Sequence, residues 1–355
     1  MVSVTAATAA LSAAACGDGL AAADGGAPAL VALDTLPLAE HDSLYVGRPR
    51  SLFVDPDDGT LYVSDAFSGR VVRFGPDGSA LRVYGGRGSG PGQLRNVGLV
   101  FRLDSLVIVE DVGNGALNLF REDGAYLKSV RFSGTLGSVL VGEDTVWLGL
   151  QNLTRRTGLA RWSPSMGDSL EYFSALPQEY VTSEPLAGIY TGSALVRTAD
   201  TLIVGYAGLN DLRLSRSNGD LVSRVRVPRR ERRGVPDDVV NRLSRLSFPE
   251  MFSLSSVLFG IHRLDDGRVV LVHYDQEINQ SRNIVADVFV SVLSADRSRA
   301  CVDGRLPLPR ESQPQIAFRG DTLFALYQAL EGERSRALVT RYRIDEGPCD
   351  WLPVD

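Results

Sequence analysis

Short segments of β-forming residues recur along the chain, and each is bounded by a turn that contains aspartate or glycine. The two clearest units start at Leu61 and Val107, and they align without a gap until each reaches an Asp-Gly turn, at Gly78 and Gly124. Apolar or alternating segments followed by Asp-Gly are a strong signal for antiparallel strands joined by a hairpin. The pattern therefore predicts short strands throughout, arranged in similar units.

Four looser copies of the unit follow, and each has an apolar strand after an aspartate turn, at Asp144, Asp200, Asp266 and Asp321. Repeats of about 40 residues are typical of propellers and solenoids, in which each repeat buries its faces against its neighbours. With an inner and an outer strand added, every unit becomes a four-stranded blade. We predict an all-β fold, a six-bladed β-propeller of four-stranded antiparallel blades. Inner strands are expected at residues 51–54, 97–101, 138–141, 194–196, 259–261 and 316–318.

A spare apolar strand precedes the first unit, within residues 29–40. A propeller commonly completes its last blade with a strand from the opposite end of the chain. We therefore expect residues 29–40 to pair with the third strand of the last unit, around residues 339–344. The alternative is a mobile leader.

An insertion near residues 228–256 lengthens the interval between the fourth and fifth units. Val239, Val240 and Leu243 have helical spacing, and Pro236 suits the start of a helix. We predict a loop and a short helix packed over one face. The arginines of residues 229–233 could bind an anionic ligand or could offset neighbouring carboxylates.

The segment from Pro49 to Leu94 resembles an NHL repeat. It combines an apolar strand, an aspartate-rich turn at 55–59, two further strands and a glycine-proline-glycine segment at 85–94. That last segment is similar to the crossover between blades of bacterial six-bladed propeller lipoproteins. The general pattern continues from about residue 45 to the carboxyl terminus, and it is sharpest in the first two units. Six-bladed relatives include calcium-dependent lactonases, arylesterases and lyases, which place polar and acidic residues around the channel.

The amino-terminal residues are small and apolar up to Cys16, which is typical of a signal peptide. Residues 11–16 resemble a bacterial lipobox, although Ala13 stands where leucine is usual. We predict a signal peptide at residues 1–16 with cleavage before Cys16, lipidation of Cys16, a flexible linker at 17–28 and the propeller at 29–355. This predicts an exported periplasmic or outer-envelope lipoprotein, the alternative being a disordered alanine-rich leader.

The composition of the chain limits the classes of partner that it is expected to bind. The formal net charge of −6 and a pI near 5.3 argue against a nucleic-acid surface. No apolar run is long enough to span a bilayer, so membrane contact is expected only through a lipid anchor, and the protein is expected to be a monomer. Cys301 and Cys349 could form a disulfide in an oxidising compartment or remain two buried thiols.

Asp65 and Asp111 occupy equivalent positions, where the loop from a second to a third strand opens on one face of the predicted propeller. Calcium favours six to eight oxygen ligands, so a calcium site would need other blades, with Asp275 as the third acidic ligand. Otherwise the two aspartates cap their own loops. The corresponding positions of later blades form a mixed ring of Leu150 with Gln151, Tyr206, Tyr274 with Asp275, and Tyr327 with Gln328.

The histidines do not suggest a zinc site, because His41, His262 and His273 lack paired ligand spacing. His262 and His273 flank one predicted hairpin, so we expect them to face each other as a structural pair. No metal is expected except calcium in the alternative above, and no catalytic residue can be assigned.

Two functions fit these features. We favour a non-catalytic binding or scaffold module of the cell envelope, without a cofactor, that presents its loop face to a glycan, peptide or protein. The alternative is a calcium-dependent lactonase or esterase-like hydrolase, or a lyase, with its site in the central channel. The candidate ligand-binding residues on the loop face are Asp65, Phe67, Arg70, Asp111, Asn114, Gln151, Asn152, Arg155, Tyr206, Asn210, Tyr274, Asp275 and Gln328.

Overall fold

The computed structural model describes residues 26–40, 44–198, 201–279, 284–310, 313–331, 334–347 and 349–355. The predicted signal peptide, the lipidated Cys16 and residues 17–25 of the predicted linker lie outside the described residues and stay predictions. The described chain forms six antiparallel sheets, which are the six predicted blades. Blades I to IV each follow the simple order of four consecutive strands.

The strands lie close to their predicted positions. The first strand, β1 (Ala29–Pro37), belongs to the last blade. Blades I and II consist of β2 (Pro49–Val54), β3 (Leu61–Asp65), β4 (Arg70–Phe74), β5 (Ala80–Gly85), β6 (Val97–Leu103), β7 (Leu106–Asp111), β8 (Ala116–Arg121) and β9 (Tyr126–Arg131). Blades III and IV consist of β10 (Thr135–Val141), β11 (Val146–Asn152), β12 (Thr157–Trp162), β13 (Glu171–Ala175), β14 (Ser193–Thr198), β15 (Thr201–Tyr206), β16 (Asp211–Arg216) and β17 (Leu221–Arg226). Blades V and VI consist of β18 (Ser256–Arg263), β19 (Val269–Ile278), β20 (Ile284–Leu293), β21 (Arg299–Arg305), β22 (Gln315–Arg319), β23 (Thr322–Glu331) and β24 (Arg334–Asp345), and β25 (Leu352–Pro353) adds a fifth strand to blade V.

The ring closes as the sequence predicts. Strand β1 pairs antiparallel with β24, so that Leu30 lies opposite Ile344 and Leu36 opposite Val339. Blade VI therefore takes its outermost strand from the amino-terminal side and its other three strands from the carboxyl-terminal side. This pairing holds the first and last blades together without a covalent bond.

The core lies between the blades. In β19, Val269 packs in one apolar cluster with Leu212 of blade IV, whereas the next residue, Val270, packs in another with Leu323 of blade VI. Successive side chains of a strand point to opposite faces, so a strand between two blades buries both of its faces. This explains why the second strands of the units have continuous apolar sequences instead of strict alternation.

Two helical insertions extend from the crossovers between blades. The predicted helix is present as α3 (Val239–Leu243), after α1 (Gln178–Thr182) and α2 (Glu184–Ile189) and before α4 (Phe248–Leu254). Helices α1 and α2, between blades III and IV, have no counterpart in the sequence prediction. Val239 and Leu243 pack in one buried cluster with Tyr180 and Leu186. The two insertions therefore support each other. Among the described residues, none of the helices has the length and apolar character required to traverse a bilayer.

Asp303 anchors the arginine-rich segment of the second insertion. It lies at a register shift of β21 with a left-handed φ of 64°, a conformation that aspartate tolerates better than most residues. Its carboxylate accepts hydrogen bonds from the backbone N–H groups of Arg230, Glu231 and Arg232 at 2.5, 2.9 and 3.3 Å. The buried Arg232 guanidinium also pairs with it, and Arg230 and Arg233 meet other carboxylates. Of the two interpretations of the arginine-rich segment, anion binding and neutralisation of nearby carboxylates, these contacts favour the second.

The two late cysteines are joined, since Cys301 of β21 and Cys349 form a disulfide with their Cα atoms 5.7 Å apart. This bond holds the carboxyl-terminal segment beside blade V, where Leu352 lies opposite Ala300. The described carboxyl terminus is thus fixed to the body of the propeller.

The expected pairing of two histidines is wrong. In the β18–β19 register, His262 lies opposite Val270 and His273 lies opposite Leu258. His262 stacks on Phe318 of blade VI at 4.4 Å between ring centres. Val270 and His262 share a face of blade V, and His273 lies three residues after Val270, so its side chain points to the opposite face. There, burial lowers the pKa of His273, and the charge of Arg232 lowers it further.

Candidate binding face

The loops that connect second to third strands, together with the crossovers between blades, lie at one end of the propeller. We call this end the loop face. In blades I, II and III the connecting loops are residues 66–69, 112–115 and 153–156. The thirteen candidate ligand-binding residues lie in or beside such loops, and seven of them are buried, three are half-buried and three are exposed.

Asp65 is fully buried at the end of β3. Its carboxylate accepts hydrogen bonds from the N–H groups of Arg48, Phe67 and Ser68 at 2.8, 3.1 and 3.2 Å, and from the Ser68 hydroxyl at 2.5 Å. The bonds to residues 67 and 68 shape its own loop. The bond to Arg48 attaches the segment that enters blade I, so one carboxylate fixes two parts of the loop face.

Asp111 repeats this arrangement in blade II. It is fully buried and accepts hydrogen bonds from the N–H groups of Arg95, Asn96 and Gly113 at 3.2, 3.1 and 3.1 Å. The Asn114 side chain donates a further bond at 2.6 Å. The carboxylate therefore holds the crossover from blade I against the loop of blade II.

Asn152 takes the capping position in blade III. It lies opposite Thr157, five residues on, as Asp65 lies opposite Arg70. Its amide group donates to the Ser133 carbonyl at 3.0 Å and its oxygen accepts from the Arg155 N–H at 2.9 Å. An amide thus replaces the carboxylate of the first two blades.

The sequence alignment placed Leu150 and Gln151 at this position instead. Both are buried, and the capping role falls to Asn152 because the pairing of β11 with β12 shifts between Gly149 and Asn152. A shift of this kind moves a side chain without leaving a signal in the local sequence.

Three polar residues of later blades are also occupied by local contacts. Asp275 accepts hydrogen bonds from the Arg233 N–H at 2.9 Å and from the Ser256 hydroxyl. Gln328 donates to the Val46 carbonyl at 2.8 Å. Asn210 bonds both the N–H and the carbonyl of residue 235, at 2.8 and 2.6 Å. Each of these side chains connects its blade to a crossover segment.

Two of the three tyrosines of the predicted ring, Tyr206 and Tyr274, are buried. Tyr206 packs against Tyr180 with ring centres 5.6 Å apart, and Tyr274 stacks on Phe259 at 4.4 Å. Burial raises the pKa of Tyr206 to about 12 and that of Tyr274 well above its usual value. Both rings therefore stay neutral and serve the packing of their blades.

The candidate calcium ligands do not form one site. N–H donors point at the carboxylate oxygens of Asp65, Asp111 and Asp275 that would have to face a cation. Within the described ranges, no three His, Cys, Asp or Glu side chains gather into a group that could hold a metal ion. The residues present do not fit a calcium site built on these aspartates.

Glu110 is a buried carboxyl group whose pKa lies well above that of a free glutamate. It precedes Asp111 on β7 and accepts a hydrogen bond from the Leu99 N–H at 3.0 Å. Burial raises the pKa of Glu110 to about 7, and Asp111 acts in the same direction, whereas the Leu99 bond and the Arg50 charge oppose the shift. A carboxyl group with a shifted pKa is a feature of many acid-base sites, but among the described residues Glu110 belongs to no group of three His, Cys, Asp or Glu side chains that could hold a metal ion.

The exposed candidates are Phe67, Asn114 and Arg155, and the half-buried Arg70 lies beside Phe67 in the same loop region. Apolar side chains that are not among the predicted ligand-binding residues accompany them. We call the following four residues the apolar loop patch, with their exposed fractions: Tyr45 (39%), Phe67 (65%), Val112 (41%) and Leu153 (50%). They come from the crossover into blade I and from the equivalent loops of three consecutive blades.

The aromatic part of the apolar loop patch is held in place. The Phe67 and Tyr45 rings meet edge to face with centres 6.4 Å apart. The Arg87 guanidinium donates to the Ala66 and Phe67 carbonyls at 3.1 and 2.8 Å, and Arg70 donates to the Tyr45 carbonyl at 3.2 Å. Phe67 is therefore exposed and ordered at the same time, a combination that lowers the entropic cost of binding.

A signal for the missed residues was present in the sequence. Val112 directly follows the predicted loop cap Asp111 and is an apolar residue in an otherwise polar loop, and Leu153 lies in the equivalent loop of the next blade. The blade III loop also carries Arg155, whose guanidinium lies 4.7 Å from the ring centre of Tyr172. Apolar and arginine side chains thus share this side of the loop face.

No protein-family model matches the chain, and no curated protein sequence matches it. Solved structures do match over almost their full length. A member of the DUF4221 family from Bacteroides vulgatus is 12% identical with a TM-score of 0.65, covering 90% of this chain and 99% of that one. A Bacteroides fragilis protein named "Putative exported protein" is 10% identical with a TM-score of 0.62, covering 92% and 97%. A streptogramin B lyase is 12% identical with a TM-score of 0.50, covering 88% and 97%. At these identities the likeness is one of fold.

Proposed function

We propose that this protein is an exported binding module of the cell envelope, which holds a glycan, peptide or protein partner on its loop face without catalysing a reaction. The observation that carries the proposal is the apolar loop patch. Phe67 and Tyr45 are exposed yet ordered, and arginines surround them. Exposed aromatic and arginine side chains are enriched among the residues that contribute most to binding at protein interfaces.

The geometry of the polar residues supports binding over catalysis. The candidate acidic ligands are occupied by backbone N–H groups, and among the described residues they belong to no group of side chains that could hold a metal ion. A catalytic site needs an acid, a base or a nucleophile within reach of one reacting atom. The loop face instead offers a rigid scaffold with exposed side chains on loops, as in many binding propellers.

Export as a lipoprotein is part of the proposal. The lipobox-like segment ending at Cys16 and the NHL-like first repeat support it. The disulfide between Cys301 and Cys349 suits an oxidising compartment. One protein of similar fold carries the word exported in its name, which agrees with this location. We propose a lipid anchor at Cys16 followed by a short linker and a monomeric propeller.

The binding function can be tested on immobilised probes. Residues 29–355 would be exposed to arrays of cell-envelope glycans and of peptides. Phe67→Ala is expected to weaken any specific interaction at least about tenfold, because it removes a ring that is exposed and ordered. Leu81→Ala is the matched control, since Leu81 is 51% exposed on the outer strand of the same blade.

The result that contradicts the proposal is specific binding that Phe67→Ala and a Tyr45→Ala, Phe67→Ala double variant leave unchanged. The absence of any specific glycan or peptide ligand in both arrays would also count against it. The melting temperature of each variant would show that the fold is retained.

A further inference from the structure

A recess of about 210 Å³ lies at the rim of the loop face in blade IV. Strands β16 and β17 form its floor. Residues 177–179, at the start of α1, form one wall, and residues 235–240, leading into α3, form another. Both helical insertions that distinguish this chain from a plain propeller therefore contribute to the same recess.

The floor of the recess contains two cross-strand pairs of charged residues. Arg226 lies opposite Asp211, and its guanidinium contacts both Asp211, at 3.8 Å, and Asp237. The next pair consists of two like charges, because Arg213 lies directly opposite Arg224. Like charges in this position destabilise a sheet.

Arg213 and Arg224 have no counter-ion of their own. Among the residues that the structure describes, no carboxylate oxygen lies within 4 Å of either guanidinium, whereas the neighbouring Arg226 has two. Glu179 also lines the recess, but it forms no ion pair with them. Two guanidinium groups that line one recess, neither with a carboxylate oxygen within 4 Å, are suited to bidentate binding of an oxyanion.

The recess is held open before a ligand arrives. The Asn210 side chain bonds both backbone polar groups of Val235, which fixes the wall of the second insertion to blade IV. The contact between Arg226 and Asp237 fixes the same wall two residues later. A recess held in this way costs little free energy to organise when a ligand binds.

We propose that Arg213 and Arg224 bind a single oxyanion, the carboxylate or phosphate group of a small polar molecule. Leu209 and Val240 provide apolar contact for the body of the ligand. The Glu179 carboxylate accepts hydrogen bonds from its hydroxyl groups and repels a second negative charge. The volume limits the bound part to one compact unit, such as one acidic sugar or one phosphate. This site is separate from the apolar loop patch, so its failure leaves the proposed function untouched.

The test is isothermal titration of residues 29–355 with three probes: D-glucuronate, inorganic phosphate and, as a neutral control, D-glucose. The wild-type protein is expected to bind glucuronate or phosphate and not glucose, and the anion that binds identifies the source of the oxyanion. Arg213→Gln and Arg224→Gln are each expected to weaken that binding about tenfold or more, because one of two charge-assisted contacts is lost. Arg82→Gln is the control, since Arg82 lies in the equivalent cross-strand pair of blade I, opposite Arg73.

Two results would overturn the proposal. One is a wild-type protein that binds neither anion up to about 50 mM, a concentration at which even a weak site is occupied. The other is binding that both glutamine variants retain in full. Arg224→Lys keeps the charge and is expected to keep part of the affinity, so it replaces Arg224→Gln if that variant has a lowered melting temperature.

Discussion

Glu110 shows how one buried side chain can make the stability of the whole propeller depend on pH. Its pKa is about 7 in the folded chain and 4.5 for a free glutamate. The folded state therefore binds the proton more tightly than the unfolded state does. Glu110 therefore contributes most to the free energy of unfolding below pH 4.5. This contribution is lost as the pH rises through 7, because the carboxyl group must then ionise in a buried position.

Glu110→Gln removes this titration while keeping the size of the side chain and an acceptor for the Leu99 N–H. We expect the variant and the wild-type protein to have similar free energies of unfolding near pH 4.5. Near pH 8 the variant is expected to be more stable by roughly 3 kcal/mol. Urea unfolding followed by tryptophan fluorescence at both pH values measures this difference. Glu143→Gln, at an exposed position, is the control, and parallel curves for Glu110→Gln and wild type would refute the expectation.

Asp111 provides the test of the capping role. Asp111→Ala leaves three N–H groups of the loop and the crossover without their acceptor. We expect the free energy of unfolding to fall by about 2–4 kcal/mol, since each unsatisfied buried donor is costly. Asp123→Ala, in an exposed turn of the same blade, removes one hydrogen bond and is expected to have a much smaller effect. A stable Asp111→Ala variant would show that the carboxylate has another purpose.

At the scale of elements, one covalent bond joins the carboxyl-terminal segment to blade V. The disulfide links residues 48 positions apart, and the segment also forms the bonds from the Val354 N–H to the Ser298 carbonyl and from the Arg226 N–H to the Asp355 carbonyl. Without the disulfide, the short strand β25 would have to stay paired with β21 through these bonds, the Arg230–Asp350 ion pair, the bond from the Asp350 N–H to the Gly26 carbonyl and the packing of Leu352 and Val354.

Replacing both Cys301 and Cys349 by serine is expected to lower the free energy of unfolding by about 2–4 kcal/mol, because the unfolded chain gains conformational freedom. Guanidinium unfolding of the double variant and of the oxidised wild-type protein gives the difference. Reduced wild-type protein should behave as the variant does. Equal stability of all three samples would mean that the bond contributes nothing to the folded state.

The elements differ in how well the sequence predicts them, and the differences have physical causes. The second strands are recognisable because burial on both faces selects apolar β-formers, and the following turn needs aspartate or glycine. Helix α3 is recognisable from the spacing of Val239 and Leu243. Helices α1 and α2 have five and six residues. Helix α3 is equally short, and its prediction also used Pro236, which suits the start of a helix. The capping position of Asn152 depends on a register shift, which is a property of pairing between strands.

At the scale of the whole molecule, the closure of the ring and the paths of the crossovers determine which side chains meet at the loop face. The repeat predicts that Asp65 and Asp111 share this face. The structure shows in addition that backbone N–H groups of the crossover segments donate hydrogen bonds to both carboxylates. Tyr45 and Phe67 come together only because the crossover into blade I passes beside the loop of that blade. Likewise, Asp303 reaches the arginine-rich segment across more than seventy residues of sequence. Contacts of this kind follow from ring closure and the crossovers.

Calcium should leave the melting temperature of the protein unchanged if Asp65 and Asp111 only cap their loops. We expect the melting temperature of residues 29–355 to agree within about 1 °C in millimolar calcium and in chelator, because an ion stabilises a fold only by binding to it. Magnesium at the same ionic strength is the control for non-specific effects. A calcium-specific rise of several degrees would restore the hydrolase interpretation and direct attention to Asp65 and Asp111.

The most direct test of the central claim, that the loop face holds a partner, is site-specific photocrosslinking in the cells that produce the protein. The photoreactive residue p-benzoylphenylalanine would replace Phe67 in one variant and Leu81 in another, since both side chains are exposed on blade I but only Phe67 belongs to the apolar loop patch. The account predicts a discrete crosslinked product of higher mass from position 67 and none from position 81. The same product from both positions, or from neither, would contradict it.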